Sequence, residues 1–468
     1  MATASLSRQL ARWVVGLRYE DLPIDVVDRA KGLTLHALAS VLLGSRSPDG
    51  RHAVALVTEE EAGASGRATI MVDGARVTSG GAAFANSEMA LAGGKWDTFR
   101  MLTHPGTSII PAAFVAAETA QASGRAFIAA LAAGYEVMER LAADFIPTVM
   151  ARGFHPSPVF GIFGAAVAAA KLGRLDEDQV NSAIALCASL AAGNPEGARS
   201  GGRALREGAA TRNAMLAVAL AARGHAGGET VLEGEAGFYH AYAGNNDGRL
   251  TYSFTGQTRT DLGTIVAGLG TDWRFLETLY RIYSTAGYNI AHIDVTARLC
   301  EEHGLRAEDV AGIEAVVNWL ETQYPSPAFP SRREDRERRP GSTAYHSAYG
   351  VVTRGFPMLR DPWNDPPGAH DPPEVLELMK RVTIIPSHEM TLFGPRITIR
   401  TRDGRTYTRQ ATGREFIWDF EEEARRIRDV VPGLPIPAAQ FEDLIAICRD
   451  LDRQERAADL IGLTLART

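Results

Sequence analysis

GFHPSPVFGIFGAAVAAAK, residues 153–171, decides how the fold reads. A histidine and two prolines open it, and an unbroken run of small and apolar residues, Val159 to Ala170, continues for 12 positions. Proline suits a first helical turn, where its missing N–H would have no partner anyway. A run of this length cannot span a bilayer, which takes about 20 residues. Its glycines and alanines let neighbouring helices approach closely, so the stretch reads as a buried helix in an alanine-rich bundle.

A second stretch echoes it. THPGTSIIPAAFVAAE, residues 103–118, again places His-Pro and a small residue just before an apolar helix. Outward from these two, helical spacing of apolar residues predicts helices over Val26 to Ala37, Ala126 to Ala143, Asp178 to Ala192 and Ala209 to Ala222. Ala68 to Val77 instead reads as a small hairpin around Asp73-Gly74. Composition shifts near Gly268. Beyond it come a helix closed by Gly304, strand-like segments at Ile313 to Leu320, Val382 to Ile385 and Arg396 to Arg402, and an Arg/Pro-rich stretch, Tyr324 to Gly341, that reads as an exposed loop. The tail from Phe416 to Leu463 returns to helix. The expected fold is mainly α: a large all-helical domain, residues 1–267 and 410–468, with a smaller α+β lid domain inserted at 268–409.

Composition excludes several classes. The 468 residues are 45% hydrophobic and 22% charged, ordinary globular values that rule out bulk disorder. A net charge of −7 makes the chain a poor wrapper of nucleic acid. The opening MATASLSRQLARWVVG lacks a signal peptide's apolar core and reads as a short amphipathic helix. Cys187, Cys300 and Cys448 are far apart, which suits a reducing compartment and gives no metal or redox motif. We therefore expect a cytoplasmic protein without membrane or nucleic-acid partners, without metal and without cofactor.

Two constellations could carry chemistry. His104 and His155 each stand at a helix start, beside free backbone N–H groups and the positive end of the helix dipole. That setting attracts carboxylates and suits proton transfer near neutrality; it also suits a histidine that merely caps a loop. Arg203, Arg206 and Arg281 are guanidinium groups that could hold a polyanion bidentately, or could be solvated surface charge. His240 and His292 have no partner pattern and read as ordinary packed or surface histidines.

In these residues the chain resembles the MmgE/PrpD family, which includes 2-methylcitrate dehydratase, cis-aconitate decarboxylase and iminodisuccinate epimerase. The likeness runs from about Leu22 to Gly404 through SGGAAFANS at 79–87, WDTFRMLTHPG at 96–106, AGYEVMERL at 133–141, GFHPSPVFGIFGAA at 153–166 and LREGAATRNAMLAVALAARG at 205–224. It implies an all-helical domain, an α+β lid, a homodimer and a metal-free cleft between domains. The family's active-site histidine matches His104, its threonine Thr98, the adjacent acid Asp97, its second histidine His155 and its lid tyrosine Tyr349. Elsewhere the chain departs: the D-x-D-D-T motif has Gly94 at its head and Trp96 at its third position, and family basic residues fall at Arg203, Arg206 and Arg281. The resemblance implies a lyase without cofactor that abstracts a proton α to a carboxylate, first of all a dehydratase of a small hydroxy- or polycarboxylate. Decarboxylation and epimerisation use the same arrangement, and a carboxylate-binding protein without turnover is the non-enzymatic alternative.

Overall fold

The computed structural model describes residues 4–61, 66–195, 202–283, 285–323, 339–357 and 372–466, with backbone only at 202–204. The chain is mainly α-helical and divides into two compact units, one formed by Met1–Leu250, Arg259–Ile282 and Ile417–Thr468, the other by Thr251–Thr258 and Tyr283–Phe416.

The first unit contains α1 (Leu6–Gly16), α2 (Ile24–Gly44), α3 (Pro48–Glu60), the hairpin β1 (Ala68–Thr69) and β2 (Arg76–Val77), α4 (Ser79–Ala92), β3 (Trp96–Thr98), α5 (Gly106–Ala120), α6 (Gly124–Ala142), α7 (Ile146–Ala151), α8 (Pro156–Leu172), α9 (Glu177–Leu190), α10 (Gly202–Ala221), α11 (Phe238–Ala243) and β4 (Leu279–Arg281). Local chemistry starts these helices. Ser47, Thr78 and Ser123 each accept from a backbone N–H in the first turn of α3, α4 and α6, and Asp176 forms a capping box with Gln179 at α9. Small residues then set the packing. A Cβ on Gly134 would lie 2.7 Å from the Gly164 carbonyl, and one on Gly164 would lie 2.8 Å from that of Gly134, so α6 and α8 cross backbone to backbone. Within α5, Pro111 has no N–H to offer Thr107, four residues earlier, and the Thr107 carbonyl instead accepts from Ser87 Oγ of α4 at 2.8 Å. The weakness of one helix thus becomes a joint between two.

The second unit holds α12 (Gly287–His303), β5 (Val310–Asn318), α13 (Thr343–Thr353), α14 (Pro373–Met379), β6 (Val382–Ser387), β7 (Arg396–Thr401) and β8 (Thr406–Gln410). Its sheet runs β6-β5-β7-β8, parallel between β5 and β6 and antiparallel elsewhere. Val310, Ile313, Ala315 and Val317 of β5 and Ile397 and Ile399 of β7 share a core with Val295 and Leu299 of α12, Ala348 and Val351 of α13 and Leu378 of α14. His292 is fully buried there, its Nδ1 2.9 Å from Ser347 Oγ, a packed histidine. The chain returns to the first unit with α15 (Phe420–Ile427) and α16 (Ala438–Arg449).

Of the stretch read as an exposed loop, residues 324–338 lie outside the described residues. All three cysteines are buried, and burial pushes their thiols up, which leaves them poor nucleophiles. Among the described residues no helix is long and apolar enough to cross a membrane.

Candidate active site

The site begins with three residues of strand. β3 pairs antiparallel with β4, setting Trp96 opposite Arg281, Asp97 opposite Tyr280 and Thr98 opposite Leu279. After β3 the chain folds back on itself. Phe99 N–H donates to the Thr103 carbonyl at 3.3 Å, while Arg100 and Leu102 adopt positive φ of 49° and 60°. Left-handed backbone costs a non-glycine residue about 1–2 kcal/mol. Here the turn returns His104 onto β3, where its Nδ1 lies 3.1 Å from the Asp97 carbonyl and 3.4 Å from Thr98 Oγ1. The ring rests on Trp96, with centroids 4.6 Å apart.

Hydrogen bonding assigns the tautomers. A carbonyl only accepts, so His104 Nδ1 carries the proton and Nε2 is the basic nitrogen of the neutral ring. His155, the N-cap of α8, is the reverse: its Nδ1 accepts from Ser157 N–H at 3.3 Å, which leaves the proton on Nε2. Ser157 joins the two, because its Oγ accepts from His104 N–H at 3.0 Å. Both histidines are buried. One therefore presents a base and the other an N–H donor, fixed by the Asp97 carbonyl of β3 and by Ser157 in the first turn of α8.

Asp97 points the other way from Trp96 and Thr98, as strand alternation requires. Both its oxygens accept from Gly106 N–H, at 3.0 and 2.9 Å, and Oδ2 also accepts from Tyr135 OH at 2.6 Å. Burial pushes the carboxyl up to about 6 against the pull of Tyr135, the charge of His36 and the Gly106 N–H. Asp97 is thus an orienting group: it ties β3 to the start of α5 and fixes the carbonyl that holds His104. A Cβ on Gly106 would come 2.7 Å from both Asp97 Oδ2 and Tyr135 OH. Gly106→Ala should therefore destabilise the protein by about 1–3 kcal/mol through overpacking. It should also cut activity more than that stability loss accounts for, read as a lowered Tm together with kcat at a temperature where the variant is folded. Wild-type kcat in Gly106→Ala would remove Asp97 from this role.

Cations complete the group. Arg281 is buried, its guanidinium 4.2 Å from the centre of the Trp96 ring. Lys95, also buried, has its ammonium pushed down to about 8 by burial and then by the nearby charge of Arg281. Two buried cations within each other's field oppose one another, and an anion beside them relieves that repulsion.

The structure thus gathers Asp97, Thr98, His104, His155 and Arg281 into one connected group. Arg206 joins it at one remove. It donates to the Asn194 carbonyl at 2.8 Å, and its side chain borders Gly193, whose carbonyl accepts from His155 N–H at 3.1 Å. The Arg203 side chain lies outside the described residues. Tyr349 is half-buried on α13 of the second unit, 5.9 Å ring to ring from Tyr345. Sequence reasoning missed Lys95, Tyr135 and Ser157, although Tyr135 and Ser157 fall inside the quoted motifs AGYEVMERL and GFHPSPVFGIFGAA. Among the described residues no group of three or more His, Cys, Asp or Glu side chains could hold a metal ion.

Comparison with known proteins places the chain in a family. A family model described as the MmgE/PrpD N-terminal domain matches residues 8–251. The cis-aconitate decarboxylase-like protein oryM of Aspergillus oryzae is 26% identical over 430 residues, 86% of this chain and 85% of that one. The cis-aconitate decarboxylase of Aspergillus terreus is 26% identical over 298 residues, 61% of this chain and 58% of that one. The Homo sapiens cis-aconitate decarboxylase is 28% identical over 252 residues, 52% and 51% of the two chains. The matched segment contains β3, the turn to His104 and the His155 cap, and the chain belongs to the MmgE/PrpD family.

Proposed function

We propose that the protein is a lyase acting on a small polycarboxylate, and that its reaction is the decarboxylation of a cis-aconitate-like substrate. The observation that carries this reading is the grouping of His104 and buried Arg281 against Trp96, with buried Lys95 in the field of Arg281 and His155 joined to His104 through Ser157. In such a reaction the C–C bond to the departing carboxylate breaks and CO2 leaves. The bond's electron pair shifts through the adjacent C=C, and the far alkene carbon takes a proton from His104 Nε2, which enters this step protonated and leaves it as the neutral base. Negative charge builds toward the carboxylates that remain, so cations already fixed beside them act where the charge develops. An indole wall keeps water from the leaving carboxylate.

The chain's departures from the family motif support decarboxylation. Gly94 and Trp96 stand where the motif carries acids, so no carboxylate from those positions opposes the substrate's charge. The names of the relatives point the same way. Dehydration, the first expectation from sequence, is kept as a second reading by one observation, the opposite tautomers of His104 and His155. They provide the base that removes an α-proton and the acid that protonates a leaving hydroxyl. The family resemblance alone carries the role of Tyr349 as a substrate contact, the second unit as a lid, and a homodimer, while Arg203 rests on its guanidinium chemistry as well; these stand as parts of the proposal.

A panel of cis-aconitate, citrate and 2-methylcitrate separates the reactions. Release of CO2 from cis-aconitate supports decarboxylation, and new alkene absorbance from either hydroxy acid supports dehydration. Solvent-deuteron exchange without either would make the protein an epimerase. Binding without turnover or exchange across the panel would overturn the lyase reading.

A further inference from the structure

We propose that the buried His36–Glu423 pair is a positioning device for His104, holding Asp97 as a carboxylate so that the turn from β3 to α5 keeps presenting the ring. The mechanistic part rests on His104 being the proton-moving group; the electrostatic part does not. His36 lies on α2 and Glu423 on α15, and His36 Nδ1 is 2.8 Å from Glu423 Oε1. The second oxygen of Glu423 accepts from Trp418 Nε1–H at 2.8 Å. Glu423 is fully buried, and among the described residues its ion pair within 4 Å is with His36 alone. A carboxylate shut off from water is offset by the positive charge that an imidazole at this distance can carry.

The pair lies behind the site. The His36 ring meets Tyr280 edge-on, with centroids 5.5 Å apart, and Tyr280 is the residue directly opposite Asp97 across the two strands. Gly32, one helical turn before His36, makes the approach possible, since a Cβ there would lie 2.1 Å from Tyr280 OH. His36 Nε2 and Tyr280 OH are both sealed from solvent with no hydrogen-bond partner among the described residues. The His36 charge opposes protonation of Asp97.

The other groups facing Asp97 cannot replace it. Tyr135 supplies a neutral hydrogen bond, and Gly106 its backbone N–H. Glu139 on α6 is fully buried, and burial pushes its carboxyl well above the usual range; in neither form does a carboxyl add positive charge. Tyr280 is likewise pushed up by burial and neutral. Arg29 is turned to the Thr278 carbonyl, 3.1 Å away, with its guanidinium 5.1 Å from the Tyr280 ring, and Asp28 accepts from Phe420 N–H.

The test titrates Asp97 itself. Protein labelled with 13C at aspartate carboxyls, with Asp97 assigned by its loss in Asp97→Asn, should show a wild-type midpoint near 6. His36→Gln should raise that midpoint by about 1 pH unit, the size expected for losing a nearby opposite charge. Glu423→Gln, which takes away the carboxylate that faces His36, should raise it in the same direction and carries the test should His36→Gln fail to fold. The acidic limb of kcat/KM for cis-aconitate should move upward with the midpoint, and Glu423→Asp should bring it back toward wild type. An unmoved Asp97 midpoint in both variants overturns the inference. A moved midpoint with an unmoved activity limb overturns the positioning role while leaving the electrostatics. Full turnover in His104→Gln would instead break the reading of the site on which that role rests.

Discussion

His104→Gln should lower kcat/KM for cis-aconitate by about 10²–10⁴, the range lost when a positioned general acid or base is removed. The substitution is chosen because glutamine can still donate to the Asp97 carbonyl and still cover part of Trp96, so the β3–α5 turn keeps its partners. What disappears is the second ring nitrogen. The backbone N–H that donates to Ser157 Oγ survives any side-chain change, so the His155 cap should stay in place and the Tm should stay close to wild type. The loss should fall on kcat with little change in KM, because the ring acts on the reacting carbon rather than on the carboxylates that anchor the substrate. Stopped assays with cis-aconitate, paired with a melting curve, check both parts.

The second large effect is expected at Arg281. Arg281→Met removes a buried cation facing developing charge, and such fixed groups supply about 10²–10³ in rate. Arg281→Lys should restore only part of the loss, since an ammonium keeps the charge but gives up the planar stacking on Trp96 and the forked donors. The pH profile gives an independent reading. Arg281 contributes to holding the Lys95 ammonium down near 8, after burial itself. Taking the guanidinium away therefore lets Lys95 keep its proton to higher pH, and the basic limb of activity should move upward in Arg281→Met. An unchanged basic limb would show that Lys95 and Arg281 do not share a field around the substrate.

How much of this was legible in sequence follows from how local each signal is. The histidine before α8 could be read because capping residues, a first-turn proline and an apolar run lie within 19 consecutive positions, 153–171. The helix ended by Gly304 and the hairpin around Gly74 were legible for the same reason: both glycines take positive φ, 62° and 88°. β3 and β4 were not. Each has three residues, too few for alternation to show, and their partners lie far apart in the chain. Arg281 could be named as a cation from its type, but its place over Trp96 depends on that register. His36 and Glu423 stand 387 positions apart, and neither carries a local pattern that distinguishes it from core or surface. Lys95 reads in sequence as one more surface charge, and only its burial reveals otherwise. Arg203, like Arg206, could be named as a cation from its type, whereas Tyr349 owes its role to family resemblance, because no local pattern marks it.

The central claim is that the His104 ring moves a proton at the substrate carbon, and the most direct measurement follows solvent hydrogen into product. Turnover of cis-aconitate in D2O, read by NMR, should place one deuteron on one face of a single product carbon in the wild type. In His104→Gln that stereospecific label should vanish together with the rate, residual product being absent or labelled on both faces. Product formed by His104→Gln at the wild-type rate, with the deuteron on the same face, would contradict the account.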